Sequence, residues 1–222
     1  MKSIITAIAA AAALSFAGDA SALTISGDVN MVFAPASVQQ DARTNNNKAL
    51  LFNESANVAL ASDMNVEAYL PGVYDGGSPL GRTLAAGRTV SSYFLHADVA
   101  EDANTPKHMS GSITFNDKIL GVIFSGFGAS DALVGAAGTA YETQGGHGVD
   151  FADPIGDSFR ISNNRMRLDF DFYVSGITDQ IRIITAGNAP LVITENPIPE
   201  PVTPALLAMG LGSLALRRRR TA

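Results

Sequence analysis

The 222-residue chain has no cysteine, no tryptophan and only three histidines, and charged residues make up 16% of it. Without cysteine there can be no disulfide, thiol nucleophile or zinc-thiolate centre, so packing alone must hold the folded part together. Without tryptophan, a flat aromatic platform would have to come from Tyr69, Tyr74, Tyr93, Tyr141 or Tyr173; Tyr69 and Tyr173 take the outward positions of alternating segments. His96, His108 and His147 match neither H-x-x-x-H nor H-E-x-x-H spacing, and no G-x-S-x-G elbow occurs. His96, beside Leu95 in a strand pattern, reads as a hydrogen-bonded core histidine, and His147, between Gly146 and Gly148, as a solvated loop residue. No internal repeat with a period of about 20–50 residues is present, which argues against a solenoid. No specific enzyme signature emerges, and the chain reads as non-enzymatic.

Both ends are distinctive. Lys2 precedes an apolar stretch from Ile4 to Ala17, and Ala20-Ser21-Ala22 supplies an A-x-A site, the pattern of a secretory signal peptide cleaved before Leu23. At the other end, Ile198-Pro199-Glu200-Pro201 precedes the uncharged run Val202 to Leu216 and then Arg217, Arg218, Arg219 and Arg220. Pro199 and Pro201 bias their surroundings away from helix, so Glu200 should lie in an extended, accessible segment. As a helix the apolar run would extend about 22 Å, less than the roughly 30 Å of a hydrocarbon core, and snorkelling arginines or local thinning would meet the mismatch. Four terminal arginines should hold that end in the cytoplasm and leave the body outside.

This order of Pro-Glu-Pro, apolar segment and basic block resembles the PEP-CTERM sorting signal. The resemblance covers roughly the last twenty-five residues. It implies an exosortase-type membrane protease as partner, a transient inner-membrane anchor, cleavage near Pro199 to Pro201, and delivery to the cell surface or its exopolysaccharide matrix. The expected organisation is a signal peptide over 1–22, one domain over 23–194, a linker over 195–201, and a single transmembrane helix with its basic tail over 202–222.

The body reads as strands. Ile25, Gly27, Val29, Met31 and Phe33 alternate with polar residues, the period-two pattern of a half-wet sheet. Met64, Val66, Ala68 and Leu70 do the same before a run rich in Gly and Pro. Further strands are predicted over 49–52, over 88–98, on either side of Asn116-Asp117, and over 191–194. Met166, Leu168, Phe170, Phe172 and Val174 alternate with charged residues and Tyr173 after Asn163-Asn164, which reads as a hairpin with its register set. Ile181 and Ile183 should face inward and Arg182 outward, across from Asp169 or Asp171. Ser130 is placed to cap a single helical turn ending near Val134. Many short strands separated by turn signals predict an all-β domain, an antiparallel β-sandwich of jelly-roll type. Segments 87–96, 111–115, 119–123 and 179–185 also look like stretches found together in exported PEP-CTERM proteins, a resemblance that supports the sandwich and carries over no active site.

Apart from Lys2, Asp19, Glu200 and Arg217 to Arg220, the chain has 10 basic and 19 acidic residues. That balance argues against nucleic acid as a partner and suits divalent cations or neutral glycans. Asp98, Glu101 and Asp102 form one acidic loop group, and Asp150, Asp153 and Asp157 a second. Hard oxygen ligands on loops suit a structural Ca²⁺, and they equally suit plain turn-forming aspartates. The expected role is therefore an exported surface or matrix protein acting through structure or interaction. The alternative is a carbohydrate-binding module, and an exported glycan-active enzyme ranks behind both.

Overall fold

The computed structural model describes residues 23–76, 79–100, 106–143, 147–151 and 156–187. All of these fall within the unit Met1–Val192. The expected signal site at Ala20 and Ala22, the strand over 191–194, Pro199-Glu200-Pro201 and Arg217 to Arg220 lie outside the described residues. Among the described residues no helix is long and apolar enough to cross a membrane.

In chain order the elements are β1 (Thr24–Gly27), β2 (Val29–Met31), β3 (Ala49–Ala59), β4 (Met64–Val66), β5 (Gly72–Tyr74) and β6 (Arg82–Leu84). They continue with β7 (Thr89–Ala97), β8 (Lys107–Thr114), β9 (Ile119–Ile123), α1 (Gly128–Val134), β10 (Ser158–Ile161), β11 (Arg167–Val174) and β12 (Asp179–Ala186). The fold is all-β. One five-stranded sheet has the order β1-β8-β11-β10-β5, a second has β2-β3-β7-β12-β9, and β4 pairs with β6. All named pairs are antiparallel except β2 with β3, which is parallel and corrects the expectation of a wholly antiparallel sheet.

Both five-stranded sheets contribute to one core. Leu51, Leu95, Ile181 and Ile183 from the second sheet join Met109, Ile113, Leu168, Phe170 and Phe172 from the first. The alternation in β11 is what places Leu168, Phe170, Phe172 and Val174 on its buried side. The second sheet is covered on its other face as well, because Phe52, Val90, Phe94 and Ile184 pack with Met64, Val66, Leu84, Phe127 and Val134. Every residue from Val90 to Ala97 and from Asp179 to Thr185 is consequently buried. An outward position on β12 therefore meets protein, not water, which overturns the expectation for Arg182.

Several local expectations change for identifiable reasons. The single strand predicted over 25–33 is two strands in different sheets. Gly27, at φ +82°, turns the chain where a Cβ would meet the Ser110 carbonyl oxygen at 2.5 Å. Asp28 then ties the crossing down, its N–H donating to Ser110 O at 2.7 Å and its carboxylate accepting the Ser110 N–H at 3.2 Å. Phe33, beyond β2, is 67% exposed. In the β10–β11 hairpin the left-handed residue is Arg165 (φ 60°), not Asn163 or Asn164. Asn164 instead accepts the Met166 N–H at 3.1 Å. Ser130 lies inside α1, and its hydroxyl donates back to Phe127 O at 2.7 Å, so it is not the cap.

The contact of β4 with β9 gives a direct test. A Cβ on Gly121 would lie 2.3–2.8 Å from the side chain of Val66, a branched residue with little freedom to move aside. Gly121→Ala is expected to cost about 1–3 kcal/mol, read as a lowered urea midpoint. An unchanged midpoint would mean that β4 does not rest on β9.

Candidate functional site

A cavity of about 660 Å³ opens among the segments that follow β9 and precede β10. Its first wall is Phe124 to Ala129. The Glu67 carboxylate fixes the start of this wall, accepting the N–H groups of Phe124 at 2.6 Å and Ser125 at 2.8 Å as well as the Ser125 hydroxyl. Phe124 packs its ring against Phe151 and Phe159, and Phe127 against Phe94.

The opposite wall consists of Glu142, Thr143 and residues 147–150. Gly148 is required by close approach, since a Cβ there would meet Phe124 O at 2.1 Å. Glu142 accepts the backbone N–H groups of Gln40 at 3.3 Å and Thr143 at 2.9 Å. His147 bonds through Nδ1 to Thr178 Oγ1 at 2.9 Å, and its Nε2 stands 3.9 Å from Glu142 Oε2. The two side chains are 9% and 8% exposed. His147 is thus a held wall residue rather than the solvated loop residue expected.

Behind the cavity lies a buried ion cluster. Arg182 donates to Glu54 from Nε at 2.7 Å and from Nη2 at 2.6 Å, to Asp131 at 2.7 Å, and to the Ser130 hydroxyl. Its guanidinium also stands over the rings of Phe94, Phe127 and Tyr141. Burial opposes the charge on Arg182, but the Glu54 and Asp131 carboxylates outweigh it and raise its pKa. Burial, reinforced by Glu54, raises Tyr141. Burial also raises Asp131 despite its bond to Arg182.

Of the two acidic groups read from sequence, Asp98, Asp150 and Asp157 are among the described residues. Asp98 is buried beside His96, accepts the Asp41 N–H at 2.9 Å, and burial pushes its carboxyl up to about 6. Glu101, Asp102 and Asp153 lie outside the described residues. Asp157 accepts the backbone N–H groups of Asp150 at 2.9 Å and Tyr173 at 2.7 Å, acting as a brace between β10 and β11. Its unforeseen neighbour is Asp179 at the start of β12, whose carboxyl bonds to it and is pushed up to about 9 by burial and by the charges of Asp157 and Asp150. Asp179 is 6% exposed, and its Oδ2 has no hydrogen-bond partner among the described residues. Among the described residues no group of three His, Asp or Glu is arranged to hold a metal ion.

His96 is fully buried. Its Nδ1 takes the Gln180 amide N–H at 2.9 Å, so the ring proton sits on Nε2, 3.8 Å from Asp98. Burial lowers its pKa to about 4, which keeps it neutral at pH 7. The tyrosines divide among several environments. Tyr93 is in the core with its hydroxyl pushed up to about 12 by burial. Tyr74 stacks on Phe159, and Tyr69 lies under Arg82. Tyr173 stacks on His108 at 4.6 Å, and His108 bonds to Asp171, on the polar outer side of the first sheet. None of the five tyrosines lines the cavity.

Sequence reasoning missed Glu142, Thr178 and Asp179. Glu142 meets Gln40 across 102 residues and His147 meets Thr178 across 31, separations at which no spacing pattern signals a pair.

The class defined by these features is an all-β protein with an acidic, aromatic-walled cavity among its loops. No family model, curated protein or solved structure matches the chain.

Proposed function

We propose that this is an exported protein of the cell surface or the exopolysaccharide matrix, delivered by a PEP-CTERM signal and acting through structure and binding rather than catalysis. The observation that carries this reading is the order of Pro199-Glu200-Pro201, the apolar run Val202 to Leu216, and Arg217 to Arg220. The N-terminal stretch ending at Ala20-Ser21-Ala22 agrees with it, because export by that signal places the body on the side where an exosortase-type protease works. A mainly β domain, without a thiol to misoxidise, suits that destination. Two five-stranded sheets about a shared core support the finer reading, a β-sandwich of jelly-roll type.

Mass spectrometry of the protein recovered from its own cells tests the proposal. The expected product begins at Leu23, ends near Pro199 to Pro201 and is found on the surface. A cytosolic product that retains Arg217 to Arg220 would overturn it.

The alternative, a carbohydrate-binding module, is favoured by one specific observation. The cavity combines carboxylates, an imidazole and phenyl rings with no lysine or arginine among its described lining residues.

A further inference from the structure

We infer that Arg82 and Arg165 form a binding site for a tetrahedral dianion, a phosphate or sulfate group, where the β10–β11 turn meets β6 at the start of β9. The inference goes beyond export and sorting and does not depend on them. It concerns the folded body alone.

Two guanidinium groups converge on one backbone oxygen. Arg82 donates from Nη2 to Leu120 O at 2.6 Å, and Arg165 donates from Nη2 to the same oxygen at 3.4 Å and to Ile119 O at 2.5 Å. Like charges held this close repel each other, and among the described residues no carboxylate forms an ion pair with either. Other arginines of the chain are answered by acids, Arg182 by Glu54 and Asp131 and Arg167 by Asp169. Around Arg82 the field is positive: burial and then the charges of Arg165 and Arg88 lower its pKa. A dianion held by both arginines would cancel the charge of the pair.

The backbone of Arg165 points the same way. It holds a left-handed conformation, φ 60°, and its N–H donates to Ser162 O at 2.8 Å, which sets it at the turn position that glycine usually takes. A side chain there costs of order 1–3 kcal/mol, and strain of this kind gathers at functional positions. Arg82 stands over the Tyr69 ring, 4.8 Å from its centroid, which orients the guanidinium without removing its charge. Each guanidinium also keeps a donor open. Nη2 serves the carbonyls and Nε is buried, whereas Nη1 makes no hydrogen bond among the described residues and retains accessible surface. With Nε buried, the side-on fork that suits a carboxylate is closed. Two single donors from separate arginines instead suit oxygens that diverge from one centre and carry two charges. The acidic balance of the body does not prevent this, because charges beyond about 8 Å are largely screened at physiological salt. A long polyanion would meet that acidic surface; a small dianion meets the local pair.

The experiment uses the full-length chain in an uncharged polyoxyethylene detergent and chloride buffer at pH 8, where phosphate is a dianion. Calorimetry is run with inorganic phosphate, inorganic sulfate, a hexose phosphate and a hexose sulfate, with acetate and glucose as comparators. At least one of the four dianions or esters is expected to bind saturably, and acetate and glucose are not. Tighter binding by the hexose esters assigns the site to a substituted glycan and tighter binding by the free ions to the ion itself; either result supports the site. Arg82→Gln and Arg165→Gly are each expected to weaken that binding at least tenfold while circular dichroism stays near that of the parent. Glycine suits the left-handed position, so the second variant removes the side chain without straining the turn. Arg167→Gln, which touches an arginine already paired with Asp169, should leave binding unchanged. Arg217 to Arg220 also attract anions, and the loss in the two variants is what separates the site from them. Three results would overturn the inference: no saturable binding by any of the four, equal binding of acetate, or binding that either Arg82→Gln or Arg165→Gly leaves intact. Terminal processing is read separately by mass, so either reading can fail without the other.

Discussion

Replacing Arg182 by Met should lower the stability of the fold by about 3–5 kcal/mol, the usual cost of stranding the partners of a buried charge. Arg182 is fully buried and holds Glu54 through two hydrogen bonds and Asp131 through a third. Once the guanidinium is gone, Glu54 keeps, among the described residues, the Ser92 hydroxyl, at 2.6 Å, and the Tyr141 hydroxyl to offset a buried negative charge. The variant is assayed by urea unfolding at pH 7. The companion experiment removes all three charges together as Arg182→Met, Glu54→Leu and Asp131→Leu. Because taking two carboxylates and a guanidinium out of water is itself costly, the triple variant should recover most of the loss. A triple variant as unstable as the single one would show that packing of the arginine stem and ring contacts, rather than charge balance, is what the cluster supplies.

Asp179→Asn should act in the opposite direction and stabilise the protein at neutral pH. In the fold the Asp179 carboxyl titrates at about 9, against an ordinary value of 3.8, because burial and the neighbouring Asp157 and Asp150 disfavour its ionised form. A pKa raised on folding means that the native state holds the proton more tightly. The contribution is complete below pH 3.8 and is lost progressively as the pH rises through the folded value. By pH 7 about three units of this loss have accumulated, an upper bound of about 4 kcal/mol at 1.36 kcal/mol per unit. An asparagine cannot ionise, and its amide can still donate to Asp157. The variant should therefore unfold at higher urea than the parent at pH 7, with little difference between them at pH 4. A parent whose midpoint does not fall between pH 5 and pH 9 would contradict this account of the pair.

Elements whose burial follows from their own alternation were readable from the chain. The β10–β11 hairpin is one, with Leu168, Phe170 and Phe172 turned inward as their spacing requires. The strand over 88–98 and the pair flanking Asn116-Asp117 were also readable, the pair from the turn-forming break between its strands, although β7 and β9 prove to be buried on both faces. Arg182 shows where that reasoning stops. Alternation correctly sets it on the opposite face from Ile181 and Ile183, but no local pattern tells that α1 and the β4–β6 pair cover that face. Glu54 was equally hidden, because it sits at an irregularity between Asn53 and Ser55 in the pairing of β3 with β7, and register shifts depend on the partner strand. The split of β1 from β2 likewise depends on Gly27 approaching Ser110, a contact across 83 positions of chain.

The sequence by itself determined the terminal patterns, the absence of thiol chemistry, the acidic balance and the predominance of strands, because these depend on composition and on neighbours a few residues apart. Tertiary structure alone decided which faces of those strands are wet, which carboxylates meet, and that His147 stands against Glu142 and Thr178. Those outcomes come from segments folded together across tens to more than a hundred residues, where charge, burial and hydrogen bonding are set by partners that the local chain does not contain.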